Sequence, residues 1–241
     1  MASQAWINFA WPGNTVLGRL DRRVREIVLE AGSEPRTTSS RYLARQNEPG
    51  LHAFLLLLGT VKVVVHSTSG FSGLLGVRTA GDIVGELSVL DGTKRSASLM
   101  TCGPVSVIAI EGGRFRRLMA EQPQFSFAVT RMISDRLRWA NRRRVDAGAY
   151  GPLIRIVRLL YELAVCYGIR QDKGWDLGIS VTQAEIASLA GVAQRTAERD
   201  LHELERRKVI TRHYRRLKII DLDLLREMGD WAENPPPCVF L

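Results

Sequence analysis

The run that decides the fold lies near the C-terminus, residues 182–210, TQAEIASLAGVAQRTAERDLHELERRKVI. Thr182 and Glu185 stand in the relation of a capping box, in which hydroxyl and carboxylate reciprocally satisfy free N–H groups at a helix start. A helix is therefore predicted from Gln183. Ile186, Leu189 and Ala190 give it a buried face, small Ala187 lets a second helix cross closely, and Gly191 permits the left-handed backbone of a tight turn. Val192, Thr196, Leu201 and Leu204 continue as the inner side of the second helix. Two helices joined in this way form a helix-turn-helix.

On the outer side of the second helix, Gln194, Arg195, Glu198 and Arg199 project from the first two turns. Those turns enter a major groove, where Arg donates twice to guanine and Gln pairs with both edge groups of adenine. Downstream, residues 209–211 and 217–220 flank His213-Tyr214-Arg215-Arg216, a predicted hairpin whose tip places Arg215 and Arg216 on phosphates. The expected DNA-binding set is Thr182, Gln194, Arg195, Thr196, Glu198, Arg199, Arg215 and Arg216. Residues 194–218 hold nine Arg and Lys against four Asp and Glu, whereas the rest of 131–241 balances eleven against eleven. The basic excess of this half is confined to the reading segment. The alternative, an amphipathic hairpin with a solvated basic face, explains neither the cap, the turn glycine nor the placement of the arginines.

Upstream the pattern changes. Residues 17–31 carry apolar side chains at helical spacing, closed by Gly32. Between residues 41 and 110 come short β-rich runs, at 54–58, 61–65, 73–77 and 105–110, punctuated by glycines roughly every ten residues. This spacing predicts a jelly-roll or Greek-key barrel. Within it, residues 81–98 read GDIVGELSVLDGTKRSAS. Gly85 allows close backbone approach to a ligand, and Glu86, Leu87 and Ser88 open a helical turn whose N–H groups hold an anion. Arg95, Ser96 and Ala97 return beside it. A guanidinium and a hydroxyl suit a phosphate, and a carboxylate suits a ribose hydroxyl. A cyclic nucleotide, cyclic AMP or cyclic GMP, is the candidate effector; a structural Glu86–Arg95 ion pair in an ordinary barrel turn is the alternative.

From Pro123 about 24 residues lack glycine and internal proline, with Phe125, Val129, Met132 or Ile133, Leu137 and Ala140 forming a seam for a partner helix. Residues 147–152, AGAYGP, break this helix and are the expected hinge. A further helix over 153–167 precedes the reading segment. The expected division is an effector-binding barrel domain with a short N-terminal helix at 1–123, a dimerisation helix at 124–147, a winged helix-turn-helix at 152–230, and a loose tail at 231–241 containing Pro235, Pro236 and Pro237.

The composition, 45% hydrophobic and 24% charged, is that of a soluble globular protein, and a net charge of +9 over 241 residues suits a polyanionic partner. The longest apolar run, residues 54–58, falls far short of the ~20 residues that cross a bilayer. No signal peptide is evident, so the expected location is cytoplasmic, with no membrane partner. Cys102, Cys166 and Cys238 are too few and scattered for a disulfide framework or a four-thiolate cluster. His52, His66, His202 and His213 do not cluster. Neither a metal site nor an enzyme is expected.

The order of these parts resembles the cyclic-AMP receptor protein and fumarate-nitrate regulator (CRP/FNR) superfamily of bacterial transcription regulators over residues 15–228. The resemblance rests on Gly85-Glu86-Leu87 with Arg95-Ser96-Ala97, which looks like the phosphate-binding cassette, and on 182–210, which looks like the family's helix-turn-helix. It implies an α+β fold with an N-terminal jelly-roll β-barrel of cyclic-nucleotide-binding type, a long dimerisation helix and a C-terminal winged helix-turn-helix. It also implies a homodimer on double-stranded promoter DNA, with RNA polymerase as a partner and effector control through the long helix. By position, Gly85 and Glu86 would contact the sugar-phosphate ring, Arg95 and Ser96 the phosphate, and Ala140 and Asn141 the base. Ala140 cannot hydrogen-bond an adenine amino group, which leaves a same-family regulator with another ligand or none as the second reading. The more remote reading is a barrel enzyme or nucleotide-binding signalling subunit. Gln194 then Arg195 replace the Arg then Glu of members that read TGTGA-like half-sites, so a different half-site is expected.

Overall fold

The computed structural model describes residues 4–68, 70–213 and 216–231. The chain divides into two compact units at Asp135/Arg136. In the first, α1 (Gln4–Ile7), a 3-10 turn (Leu17–Arg19) and α2 (Arg22–Glu30) lead into the barrel. One antiparallel sheet has the order β1-β8-β3-β6, built from β1 (Arg36–Thr38), β8 (Val105–Glu111), β3 (His52–Leu58) and β6 (Ile83–Val84). The other has the order β2-β7-β4-β5, from β2 (Tyr42–Ala44), β7 (Ser98–Thr101), β4 (Thr60–His66) and β5 (Ser72–Thr79). This is the expected mixed fold of a β domain, a long helix and a helix-turn-helix.

The unbroken apolar run on β3 has a physical reason. Successive side chains of a strand point to opposite faces. Phe54 and Leu56 join Val61, Val84, Leu99, Val105 and Val107 between the two sheets, while Leu55 and Leu57 face a second core with Ile108 and Ile110. That second core is completed by helices: Leu17, Val28 and Leu29, then Phe115 and Leu118 of α4 (Gly112–Glu121), then Phe125, Ala128, Val129 and Met132 of α5 (Pro123–Ala149). Phe115 and Phe125 meet edge to face with centroids 5.5 Å apart. Apolar side chains are needed on both faces, so the run cannot alternate.

α5 differs from its expectation in one respect. Phe125, Val129 and Met132, placed in a seam for a partner helix, are buried in the chain's own core. Leu137 and Ala140 are exposed, as are Phe127 and Val145. Periodicity marks an apolar stripe without saying what covers it. Cys102 takes part in no disulfide, and Cys238 lies outside the described residues.

The second unit contains the end of α5 and then α6 (Pro152–Tyr167), the hairpin β9 (Ile169–Gln171) and β10 (Gly174–Asp176), α7 (Gln183–Ala190) and α8 (Gln194–Arg206). The wing β11 (Ile210–His213) and β12 (Arg216–Ile219) and then α9 (Leu222–Glu227) follow. The wing completes a four-stranded sheet of order β11-β12-β10-β9. The tail from residue 232 lies outside the described residues.

If Phe125 holds the start of α5 on the barrel, Phe125→Ala should cost about 3–5 kcal/mol. The midpoint of chemical denaturation measures it; a loss below about 1 kcal/mol would assign the anchoring elsewhere.

Candidate DNA-reading and effector sites

The capping box forms as expected. The Thr182 N–H donates to Glu185 Oε2 at 2.7 Å, and the Glu185 N–H donates to Thr182 Oγ1 at 3.2 Å. α7 ends at Gly191, whose left-handed φ of 64° makes the turn. Arg155 of α6 donates to the Gly191 carbonyl at 3.0 Å, holding that turn from below. α8 then buries Ala197, Asp200, Leu201 and Leu204. Its opposite face shows Gln194, Arg195, Glu198 and Arg199 to solvent, while Thr196 is half-buried.

The charges along α8 are not equivalent. Arg199 is 73% exposed yet tethered to buried Asp200 at 2.8 Å, which fixes its guanidinium on the outer face. Near the C-terminal end Glu203 accepts from both Arg206 and Arg207, and these hydrogen bonds hold its carboxyl well below the usual range, at about 2. Glu205 is likewise lowered, by hydrogen bonds from Arg212. Among the described residues no ion pair engages Arg195. Arg195, at the N-terminal end of α8, is thus exposed and held by no ion pair, with Glu198 close by on the same face.

The wing pairs in register, His213 opposite Arg216 and Arg212 opposite Leu217. Arg216 is exposed beside the tip, and Arg215, also expected on phosphates, lies outside the described residues. Between wing and helices runs a groove of about 490 Å³ lined by Thr182, Gln183, Gln194, His213 and Arg216, among others. Gln183 and His213 were not singled out from sequence. Both belong to segments already identified, but only the folded wing brings them together.

In the barrel, Gly85 adopts φ 75° before α3 (Glu86–Asp91). A Cβ at Gly85 would stand 2.5 Å from Arg95 Nη1, so a side chain there would displace the guanidinium and strain the left-handed backbone. Arg95 is buried and donates to the Gly85 carbonyl at 2.6 Å, to Ser88 Oγ at 2.7 Å and to the His52 carbonyl, with its guanidinium 5.8 Å above the Phe54 ring. Burial lowers its pKa, against the opposing pull of Glu86 and Glu48. Glu86, Ser88 and Ala97 are buried near it in sequence, whereas Leu87 and Ser96 are exposed. The structure thus unites Gly85, Ser88 and Arg95, and leaves Ser96 outward.

An anionic ligand fits this chemistry in one respect: Arg95 Nε is buried without a hydrogen-bond partner among the described residues. Its other two donor nitrogens already serve protein oxygens. Ala140 and Asn141 lie exposed on α5 in the second unit. Among the described residues no group of His, Cys, Asp and Glu is arranged to hold a metal, and no helix is long and apolar enough to cross a membrane.

Comparison with known proteins places this architecture. Residues 37–122 match the cyclic nucleotide-binding domain, and residues 154–228 match the Crp-like helix-turn-helix domain. The chain belongs to the CRP/FNR family. It is similar to the CRP-like cAMP-activated global transcriptional regulator of Mycobacterium tuberculosis, at 27% identity over 162 residues, 67% of this chain and 72% of that protein. Among solved structures, the c-di-GMP-responsive global regulator CLP of Xanthomonas campestris superposes with a TM-score of 0.71 at 20% identity, covering 83% of this chain and 100% of that one. FixK2 of Bradyrhizobium japonicum does so with a TM-score of 0.70 at 14% identity, over 83% and 98%.

As a family member the chain is a transcription regulator with a nucleotide-binding-type domain and a DNA-binding helix-turn-helix; its relatives are regulators, not enzymes. The cassette from Gly85 to Ala97 and the segment from Thr182 to Arg216 each fall inside a matched domain. Ala140 and Asn141 fall in neither. Because the capping box starts the helix that supports α8, Thr182→Ala should cost about 1 kcal/mol of stability, read by denaturation, and Thr182→Ser should recover most of it.

Proposed function

We propose that two copies of this chain read a two-fold-related site in double-stranded promoter DNA with α8, in the cytoplasm and in concert with RNA polymerase, under control of an anionic effector at the cassette. The observation carrying the DNA half is the outer face of α8: Gln194, Arg195, Glu198 and Arg199 are all exposed on a helix fixed by the capping box and the Gly191 turn. Arg195 and Arg199 would donate to guanine, Gln194 would pair with adenine or guanine edges, and Glu198 would accept from cytosine. Thr182 and Arg216 edge the same groove and would take phosphates, fixing register without reading sequence. Arg215, adjacent in sequence, has the same assigned role.

The partner helix for the second copy would be α5. Phe127, Thr130, Ser134, Leu137 and Asn141 follow the three-four spacing of a narrow seam, and all but half-buried Ser134 are exposed. A polar residue in such a seam fixes register at some cost in stability.

For the effector, the cassette contributes Gly85 and Glu86 to a ribose, Ser88 and Arg95 to a phosphate, and the surrounding Leu87, Ser96 and Ala97 to the walls. Cyclic AMP or cyclic GMP is the ligand these groups suit. A second reading, another ligand or none, is favoured by the donors of Arg95 that serve Gly85, Ser88 and His52, and by the apolar Ala140. A phosphate must outcompete three internal acceptors to claim that guanidinium.

Footprinting across a promoter library, with and without the two nucleotides, should show a protected palindrome; none under any condition would refute the DNA assignment. Arg195→Ala should lose about 1–3 kcal/mol of discrimination at one base pair, whereas Arg216→Ala should weaken all sequences alike and lower the salt slope by about 1. Calorimetric titration with cyclic AMP and cyclic GMP should give heat that Arg95→Gln abolishes. Absence of binding for both nucleotides would leave the ligand-free or other-ligand reading standing.

A further inference from the structure

Asp200 stands on the side of α8 where a charge is least expected. It shares the buried face with Ala197, Leu201 and Leu204 and is only 4% exposed. An ionised side chain so placed needs a countercharge, because removing one partner of a buried pair leaves the other desolvated and uncompensated. Arg199 supplies it from the preceding position. Its Nε donates to Asp200 Oδ1 at 2.9 Å, and its Nη2 reaches the same oxygen at 2.8 Å. Asp200 Oδ2 is buried and accepts from nothing among the described residues, so the side-chain hydrogen bonds that this carboxylate receives there come from Arg199.

This arrangement divides the guanidinium. Of its five N–H groups, the one on Nε and one of the two on Nη2 turn to the carboxylate, which leaves both on Nη1 and the second on Nη2. One from each terminal nitrogen makes the fork that guanine O6 and N7 accept. The Arg199 side chain is 73% exposed, so the fork is open to solvent while the other edge is held. An untethered arginine can swing from a base edge to a neighbouring phosphate. Arg199 cannot do so without stranding a buried carboxylate.

We infer that Asp200 is a positioning residue for sequence readout: by holding one edge of Arg199 it presents the other to a guanine and keeps the guanidinium off the phosphates. Asp200 itself touches no DNA. It favours specific over nonspecific binding in two ways, by fixing one base contact and by withholding one cation from the phosphate backbone. The inference rests on the reading that α8 enters a major groove, and adds to it the residue that decides how Arg199 is used there.

Exchange of arginine Nε–H groups, followed by NMR on the full chain without DNA, reads the tether itself. With the two signals identified through Arg199→Lys and Arg195→Lys, exchange should be at least about tenfold slower for Arg199 than for Arg195. Equal exchange overturns the inference without recourse to a variant that could misfold. On random-sequence duplex, Asp200→Asn should bind more tightly and steepen the dependence of log affinity on log salt by about 0.9, the signature of one more phosphate neutralised. In an Arg199→Gln background the same change should leave the slope unaltered, since no guanidinium is there to release. On the footprinted site, Asp200→Asn should lower discrimination by about tenfold at the one base pair that Arg199→Gln also affects, and leave other positions within about twofold. An unchanged preference at that base pair, a loss spread evenly along the half-site as from a disturbed helix, or a slope change that persists without Arg199 each overturns the inference. If no site is footprinted, the exchange and random-duplex measurements still decide, so the two readings fail separately.

Discussion

The structure of the first unit depends on one constraint: β3 and β8 must bury side chains on both faces. One face closes the interior between the sheets, where Phe54 lies under Arg95; the other is the floor on which α4 and the start of α5 sit. Cassette and helix anchor are therefore opposite sides of the same two strands. Close-packed layers transmit displacement, since neither face can move without repacking the other. A regulator of this kind needs no separate wire between effector and shaft within that unit.

What could be read from the sequence was what is decided locally. The capping box, the Gly191 turn and the apolar face of α8 are each set by residues a few positions apart, and each forms as expected. The short strands β1, β2 and β7 escaped notice because three or four residues carry no usable period and hold their place only by pairing with distant strands. The same reason hid the partners of Arg95, one of which, His52, lies 43 residues upstream. Asp200 reads as a surface residue of an amphipathic helix, yet it is buried and tethers Arg199. The seam of α5 was misassigned because periodicity identifies a stripe and says nothing of its cover: the half bearing Phe125, Val129 and Met132 is taken by the chain's own core. Trp139 and Arg143 of α5 meet Glu162 of α6, and Asp146 meets Arg158, yet in sequence these look like ordinary scattered side chains on basic stretches.

Buried charge plays two different roles in the molecule. In the cassette the Arg95 guanidinium donates to neutral oxygens and feels the carboxylates of Glu86 and Glu48, so an incoming anion would compete with both. At the junction of α5 and α6, Arg143 and Arg158 pair directly with Asp146 and Glu162, and Arg142 adds a further positive charge near them.

The pairing of Glu203 with Arg206 and Arg207 gives α8 a direction. An arginine that already holds a carboxylate has less to offer a phosphate, so it releases fewer counterions when the protein settles on a duplex. At the rear of α8 two arginines share Glu203, whereas at the front Arg195 is held by no ion pair among the described residues. A protein charged evenly along this helix would cling to any stretch of DNA. In the proposed complex the arginines held by Glu203 would add less to nonspecific grip than Arg195 at the reading end.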